Sequence, residues 1–413
     1  MTDLPDLVLL TATFPFGNKS ETFLEAEMEV LSGRFERIFV LPSSRESGVR
    51  PLPSNAELVE MPWLREPGRG ARWRALASSD AAGVLAWTLR RRGNWVPYAG
   101  SARMYLDILA RNVLKARELR SFVEGRGLSG AVFYDYWFEN STVALALLRR
   151  EGAVGAAVCR AHGFDVYDER WGGRPVPFRE FKLSGMDLVA PVSEFGARYL
   201  EARAPRQAHR IRVHRLGVRA QGSPAVVESG PPLVLSCGSL LPGKRVHLIP
   251  EALGRLGRPL RWMHFGDGPE REKVKAAAER LPGEVAWKLA GHVDNAQVLD
   301  FYRQHRVEAL LSFSESEGLP VSMMEAISFG VPIVAIGVHG VPEIVNEATG
   351  VLLRPDAGPE EMAAGIAHAL EPGRFDSAGI RGFFRKNFDA GFNYNRFVDA
   401  LIALRQDQAP RPR

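Results

Sequence analysis

The sequence predicts an α/β protein made of two doubly wound, parallel-sheet domains. Short β-branched runs alternate with helical patterns almost from end to end of the 413 residues, and that alternation means parallel strands covered by helices on both faces. The rhythm breaks once, over 217–232, where Gly, Ser and Pro cluster as an interdomain linker would. The length also suits two or three cores of about 150 residues each.

Taken in order, candidate strands of the first half lie at 6–12, 37–42, 130–136, 154–161, 187–192 and 210–216. Those of the second lie at 232–237, 260–265, 285–290, 307–313, 331–336 and 350–354. Helical patterns such as 21–31, 246–256, 269–280 and 295–305 each end near Gly, Pro or a basic residue. The expected organisation is 1–217 and 218–382 as two domains facing across a cleft, with 383–413 a C-terminal helix packing back toward the first. Ligands of such sheets gather beyond the carboxyl ends of the strands.

Composition is that of an ordinary soluble protein, 46% hydrophobic and 24% charged. No apolar run approaches the roughly 18 residues that cross a bilayer, and the amino terminus carries Asp3 and Asp6 instead of a basic, secretory start, so a cytoplasmic chain is expected. Cys159 and Cys237 lie in apolar, strand-like runs without metal-ligand spacing, which predicts reduced, buried thiols. Much of the net charge of +5 gathers between Arg65 and Arg126, where thirteen Lys or Arg stand against five Asp or Glu. Trp63, Trp73, Trp87, Trp95 and Tyr98 are interleaved. Two readings stand: arginines that solvate helices, or a surface that rests on the anionic inner face of the plasma membrane. No nucleic-acid motif accompanies the charge, so no nucleic-acid partner is expected.

The most informative stretch runs from Ser312 to Gly330. It sets Glu317 on a loop leaving a strand and Glu325 in the following helix. Gly318 can cap that helix, Pro320 falls where a missing N–H costs nothing, and the amides of Gly318 and Leu319 can meet a phosphate or sugar hydroxyl. On a helix, 318, 322, 325 and 329 share a face, so Glu325 can accept from a ribose diol while Glu317 reaches a hexose. Glutamates in early helical turns also simply complement the macrodipole. Three more loops follow strands. Gly238-Ser239-Leu-Leu-Pro-Gly-Lys244-Arg245 suits a diphosphate, Gly266-Asp-Gly-Pro-Glu270 is a tight turn, and Gly291-His292-Val293-Asp-Asn295 could hold a base.

In order and spacing these motifs, with Gly337-Val-His-Gly-Val-Pro-Glu343, resemble the nucleotide-sugar domain of the retaining glycosyltransferases of family 4, in the two-Rossmann-domain arrangement called GT-B. The first half resembles a bacterial branch that builds exopolysaccharide or lipopolysaccharide, through Thr13-Phe-Pro-Phe16, Ser20-Glu-Thr-Phe23, Tyr136-Trp-Phe138, Arg160-Ala-His-Gly-Phe-Asp165 and the closing 387–397. The resemblance implies Lys244, Glu317 and His162 as catalytic residues: Lys244 on the donor diphosphate, Glu317 on the sugar, and His162 facing the transferred sugar. A structural role for His162 in its own loop is the alternative. It implies donor contacts at Gly238, Ser239, Arg245, Gly266, Gly291, His292, Val293, Gly318, Leu319, Pro320 and Glu325. It puts the acceptor near Phe16, Gly17, Ser20, Glu21 and Asp165. The donor would be UDP-linked before GDP-linked, the acceptor a saccharide carried on a lipid, and no cofactor or metal would be required. Transfer would retain configuration by front-face displacement, the departing diphosphate taking the acceptor proton. Two departures stand out. Ser239 occupies the place of a family arginine, which Arg245 could replace, and His339 stands where glycine is common, either narrowing the pocket or adding a donor. A sugar-nucleotide epimerase or hydrolase, or a catalytically silent membrane-docked scaffold, are the other readings of the same fold.

Overall fold

The computed structural model describes residues 4–17, 21, 23–91, 101–139, 141–222 and 230–408. Two compact units emerge, one of Met1–His214 with Tyr394–Arg413 and one of Arg215–Asn393. The first holds β1 (Leu7–Thr11), β2 (Ile38–Pro42), β3 (Ala56–Leu58), β4 (Val132–Asp135), β5 (Ala157–Ala161) and β6 (Leu188–Pro191). The second holds β7 (Leu233–Cys237), β8 (Leu260–Phe265), β9 (Val285–Leu289), β10 (Ala309–Ser312), β11 (Ile333–Ile336) and β12 (Gly350–Leu353).

Both sheets have six parallel strands, ordered β3-β2-β1-β4-β5-β6 and β12-β11-β10-β7-β8-β9. Taken from β9, the second order repeats the first. In each, the order reverses between the first and fourth strands of the unit, so the chain leaves β1 and β4, or β7 and β10, in opposite directions and opens a crevice at their carboxyl ends. Strands sheathed on both faces read as unbroken apolar runs, as in Leu-Val-Leu-Leu of β1, every residue of which is buried. At the edge of the second sheet β9 instead alternates, Val285 buried and Ala286 exposed.

Three expectations change. The run 210–216 is no strand: a 3-10 turn at Pro205–Arg210 leads into a single bridge, Ile211 on Val189, with Arg212 N and His214 N donating to the Val189 and Pro191 carbonyls. β3, three residues at an exposed edge, carries too little apolar pattern to be foreseen. The division also falls at 214/215 and 393/394 instead of 217/218 and 382/383. Helix Ser377–Asn387 packs on helix Val321–Ser328, and Gly217 is pressed so close to the Ala390 backbone that a Cβ would meet it at 2.6 Å. Of the expected linker, 223–229 lie outside the described residues.

Within the first unit, the last helix buries Phe397, Val398 and Leu401 in one core. Beneath Phe397, Arg160 and Glu27 form a wholly buried ion pair at 2.8 Å, with Tyr134 Oη donating to Glu27 and accepting from Arg160. The Arg160 guanidinium lies 4.1 Å from the Phe397 ring centroid.

Candidate functional site

The crevice of the second unit is built by two loops laced together. After β7 the chain passes Gly238 and makes a 3-10 turn at Pro242–Lys244 that ends on Arg245 at φ +47°. After β10 comes 313–320. Glu315 N donates to the Gly243 carbonyl at 2.8 Å, Arg245 Nε to the Phe313 carbonyl at 2.8 Å, and Lys244 Nζ to Glu317 Oε1 at 2.5 Å. The expected Lys244 and Glu317 therefore meet directly. Arg245 Nε fastens one loop to the other, while Ser239 stands exposed. Lys244, Glu317, Gly238, Ser239, Ser236 and Ser322 line a cavity of about 30 Å³. That is room for a water, so a diphosphate must part the Lys244–Glu317 pair to enter between them.

The glycines of these loops also have a packing role. A Cβ on Gly266, at φ +140°, would stand 1.9 Å from the Gly238 carbonyl oxygen, and Gly266 N donates to the Gly291 carbonyl at 2.8 Å. Gly238, at φ +148°, donates to the Phe265 carbonyl. Gly266 thus lets one loop press on the next and shapes the crevice floor, while the Gly238 backbone faces the small cavity. His292 is exposed and Val293 half-buried, and neither lines the small cavity.

Gly318 does not cap the next helix. That helix is Val321–Ser328, Pro320 is its N-cap, and the Met323 and Met324 amides turn back to the Pro320 carbonyl. Leu319 is buried, so the Gly318-Leu319 pair forms the approach and not the helix end. Glu325 is buried within the helix, its Oε1 accepting from Asn295 Nδ2 at 2.6 Å, and burial pushes its carboxyl up to about 7 against the pull of Asn295. Burial, then the Glu325 charge, raises Cys237 to about 12, so this thiol stays protonated. Asn295 was reached only as the end of a loop motif; it opens helix Asn295–Gln304, whose Asp294–Gln297 capping box holds it in place. His339 adopts φ +46°, which explains why glycine suits that place, and its Nδ1 pairs with Ser316 Oγ at 3.1 Å.

In the first unit, Glu21 is engaged within the protein. Its carboxylate accepts from the amides of Ala12, Thr13 and Phe14 at 3.1, 2.7 and 2.6 Å and from Trp137 Nε1 at 2.6 Å. It holds the loop after β1 against the loop after β4. Phe16 is buried and bridges Val49, and a Cβ on Gly17 would strike Glu46, so both serve packing. Ser20 lies outside the described residues. Asp165 is fully buried, accepting from the amides of His162, Gly163 and Phe138. Burial works to raise its carboxyl, but the His162 side chain and these amides outweigh it and hold it below the usual carboxylate range. His162 sits among aromatic rings, its centroid 4.3 Å from Trp137, 5.0 Å from Tyr136 and 6.2 Å from Phe23. Its Nδ1 stands 3.6 Å from Asp165 Oδ2, beyond hydrogen-bond reach, and among the described residues neither ring nitrogen is hydrogen-bonded.

The basic stretch is partly neutralised where it stands. Arg72 and Arg111 share Asp107 and Glu66, and Arg126 pairs with Glu57. Trp73 remains 71% exposed between Arg72 and Arg74, and Arg92, Trp95 and Tyr98 lie outside the described residues. Among the described residues no helix is long and apolar enough to cross a membrane. Sequence reasoning missed Lys115, buried on helix Ala102–Arg126. The signal was there: Asn112 and Lys115 fall on the apolar face that carries Leu109, Val113, Ala116 and Leu119.

Residues 223–378 match the family model described as glycosyl transferases group 1. The putative colanic acid biosynthesis glycosyltransferase WcaL of Escherichia coli (strain K12) is 26% identical over 364 residues, 83% of this chain and 85% of that one. The amylovoran biosynthesis glycosyltransferase AmsK of Erwinia amylovora is 24% identical over 53% of this chain and 56% of its own. Among solved structures, the lipopolysaccharide outer core galactosyltransferase WaaB in its apo form superposes with a TM-score of 0.65 at 15% identity, over 96% of this chain and 99% of that one. Anabaena Alr3699/HepE in complex with UDP superposes at 0.62 and 13% identity, over 96% and 100%. The fold is therefore GT-B.

Proposed function

We propose that this chain, whose residues 223–378 form a glycosyl transferases group 1 domain, is a retaining glycosyltransferase that moves a sugar from UDP to a lipid-linked saccharide in cell-surface polysaccharide synthesis. The relatives named for colanic acid and amylovoran biosynthesis support the polysaccharide, and the structural neighbour holding UDP supports the donor. The observation that carries the reading is the meeting of Lys244 and Glu317, at the carboxyl ends of β7 and β10 where the strand order reverses. Glu325 lies in the helix that follows.

In this scheme the diphosphate replaces Glu317 as the partner of Lys244, and Glu317, released, accepts from the hexose hydroxyls. The bond from the anomeric carbon to the phosphate oxygen breaks while the Lys244 charge offsets the negative charge growing on that oxygen. The acceptor oxygen bonds to the anomeric carbon from the same face, and its proton passes to the departing phosphate. Neither glutamate acts as a covalent nucleophile, so the paired-carboxylate logic of glycosidases does not apply. Glu325 holds the ribose diol, and no step is routed through a metal. The first unit, with His162, takes the acceptor. Exposed Trp73, with Arg69 and Arg74 on its helix, supports a cytoplasmic chain resting peripherally on an anionic membrane.

Thermal-shift measurement against UDP-, GDP- and dTDP-sugars tests the reading. A UDP-sugar at one hundred times its dissociation constant should add about 2.7 kcal/mol. Failure of every nucleotide sugar to stabilise the protein would remove it. Free sugar or an epimer formed without acceptor would favour a hydrolase or epimerase instead.

A further inference from the structure

A cavity of about 820 Å³ opens beyond the carboxyl ends of β1, β2 and β4, and residues from Thr11 to Ser141 line it. That is the size of a small-molecule site. Its wall includes Lys115, only 9% exposed, whose Nζ donates to Ser43 Oγ at 3.0 Å and to Ser141 Oγ at 3.1 Å. Both partners are neutral. Among the described residues no carboxylate comes within ion-pair distance of this ammonium. A buried ammonium with no carboxylate in contact is costly, and one of its three donors is not matched by either serine. Burial accordingly drags Lys115 down to about 8.

The acidic groups around it offset the charge only from a distance, Asp135 and Glu139 foremost, and none forms an ion pair with it. Glu66 and Asp107 are held by Arg72 and Arg111. Burial pushes Asp135 up to about 7, where Thr142 already donates to it, and it raises Glu118 and Glu139 as well. Trp63 and Trp137 also line the wall, with Lys115 Nζ 5.6 Å from the Trp63 ring centroid, and indoles in such a wall suit the C–H face of a pyranose. Trp137 is the ring that lies 4.3 Å from His162.

We propose that this cavity seats an acidic sugar, a uronic acid or a sugar phosphate, with its anionic oxygens on Lys115, Ser43 and Ser141 and its ring between Trp63 and Trp137. That the sugar belongs to the acceptor rests on the function proposed above; that the cavity takes an anion does not.

Titration calorimetry of the full chain with methyl glucuronide, glucose 6-phosphate, methyl glucoside and inorganic phosphate tests it. At least one acidic sugar should bind tenfold or more tighter than methyl glucoside. That margin should vanish in Lys115→Met and shrink severalfold in Ser141→Ala, while the circular dichroism spectrum and the urea midpoint of the first unit stay unchanged in both and report an intact fold, and UDP-glucose affinity is unaltered. A lead for the glucuronide marks a carboxylate site, and a lead for glucose 6-phosphate a phosphate site. Equal binding of acidic and neutral sugars, no saturable binding of either acidic sugar, a margin that survives both variants, or phosphate alone binding as tightly as glucose 6-phosphate would each overturn the inference. Loss of UDP-glucose binding by the wild type, with the acidic preference intact, would instead unseat the donor reading and leave this one standing.

Discussion

Lys244 Nζ stands 2.5 Å from Glu317 Oε1, and the two side chains are only 30% and 10% exposed. The pair keeps a positive charge poised at the crevice in the absence of donor, and each partner becomes available when the other is drawn away. Glu317→Ala should lower transfer by about 10²–10³-fold or more, the scale of a lost transition-state contact, with the circular dichroism spectrum unchanged. Lys244→Ala should weaken UDP affinity as well as rate. Wild-type turnover by either variant would strip that residue of its role.

Glu325 should make donor binding depend on pH. Its carboxyl is raised to about 7 by burial, and ribose hydroxyls donate to the charged form, so affinity for UDP-glucose should climb as pH rises through about 7 and then level off. The linked diphosphate of UDP-glucose does not titrate there. Stability carries the opposite slope: the folded Glu325 keeps a proton that the unfolded group loses near its ordinary 4.5, so this contribution falls as pH rises from about 4.5 to about 7. Glu325→Gln should flatten both curves. A pH profile of affinity unaltered by that change would detach Glu325 from the ribose.

The buried Arg160–Glu27 pair should be costly to break and cheap to replace. Arg160→Met or Glu27→Gln alone leaves an unmatched charge and should cost about 3–5 kcal/mol, read as a lower urea midpoint for the first unit. The double change Arg160→Met with Glu27→Met should recover most of that. Additive losses would show that the two residues are not coupled.

On the surface, Trp73→Ala together with Arg69→Glu and Arg74→Glu should release the protein from anionic liposomes at low salt, while transfer to a soluble acceptor persists. Unchanged sedimentation would dispose of the membrane contact.

Eleven of the twelve expected strands were legible to within about two residues at most ends, because a strand sheathed on both faces must be apolar throughout, as β1 is. The pairing of Lys244 with Glu317 could be anticipated from the strand–loop–helix rhythm, since both follow strands flanking the point where the order reverses. What could not be read were contacts that depend on which loop lies on which. That the Gly238 carbonyl occupies the space a side chain on Gly266 would fill is one such contact. Glu21 was expected beside the acceptor, and the sequence did not show that three backbone amides take up its carboxylate. Lys115 was hidden by context of another kind: a lysine in a long basic helix reads as solvated until the helix face it occupies proves to be the inner one.

The ring of Phe397 that roofs Arg160 is supplied from the far end of the chain. On the ribosome, the amino-terminal sheet therefore waits, with its internal charges uncovered, while the whole 215–393 unit is translated. Late nascent chains should be prone to aggregation and dependent on chaperones. For the same reason, a protein shortened at its carboxyl end should fail first in the half made earliest.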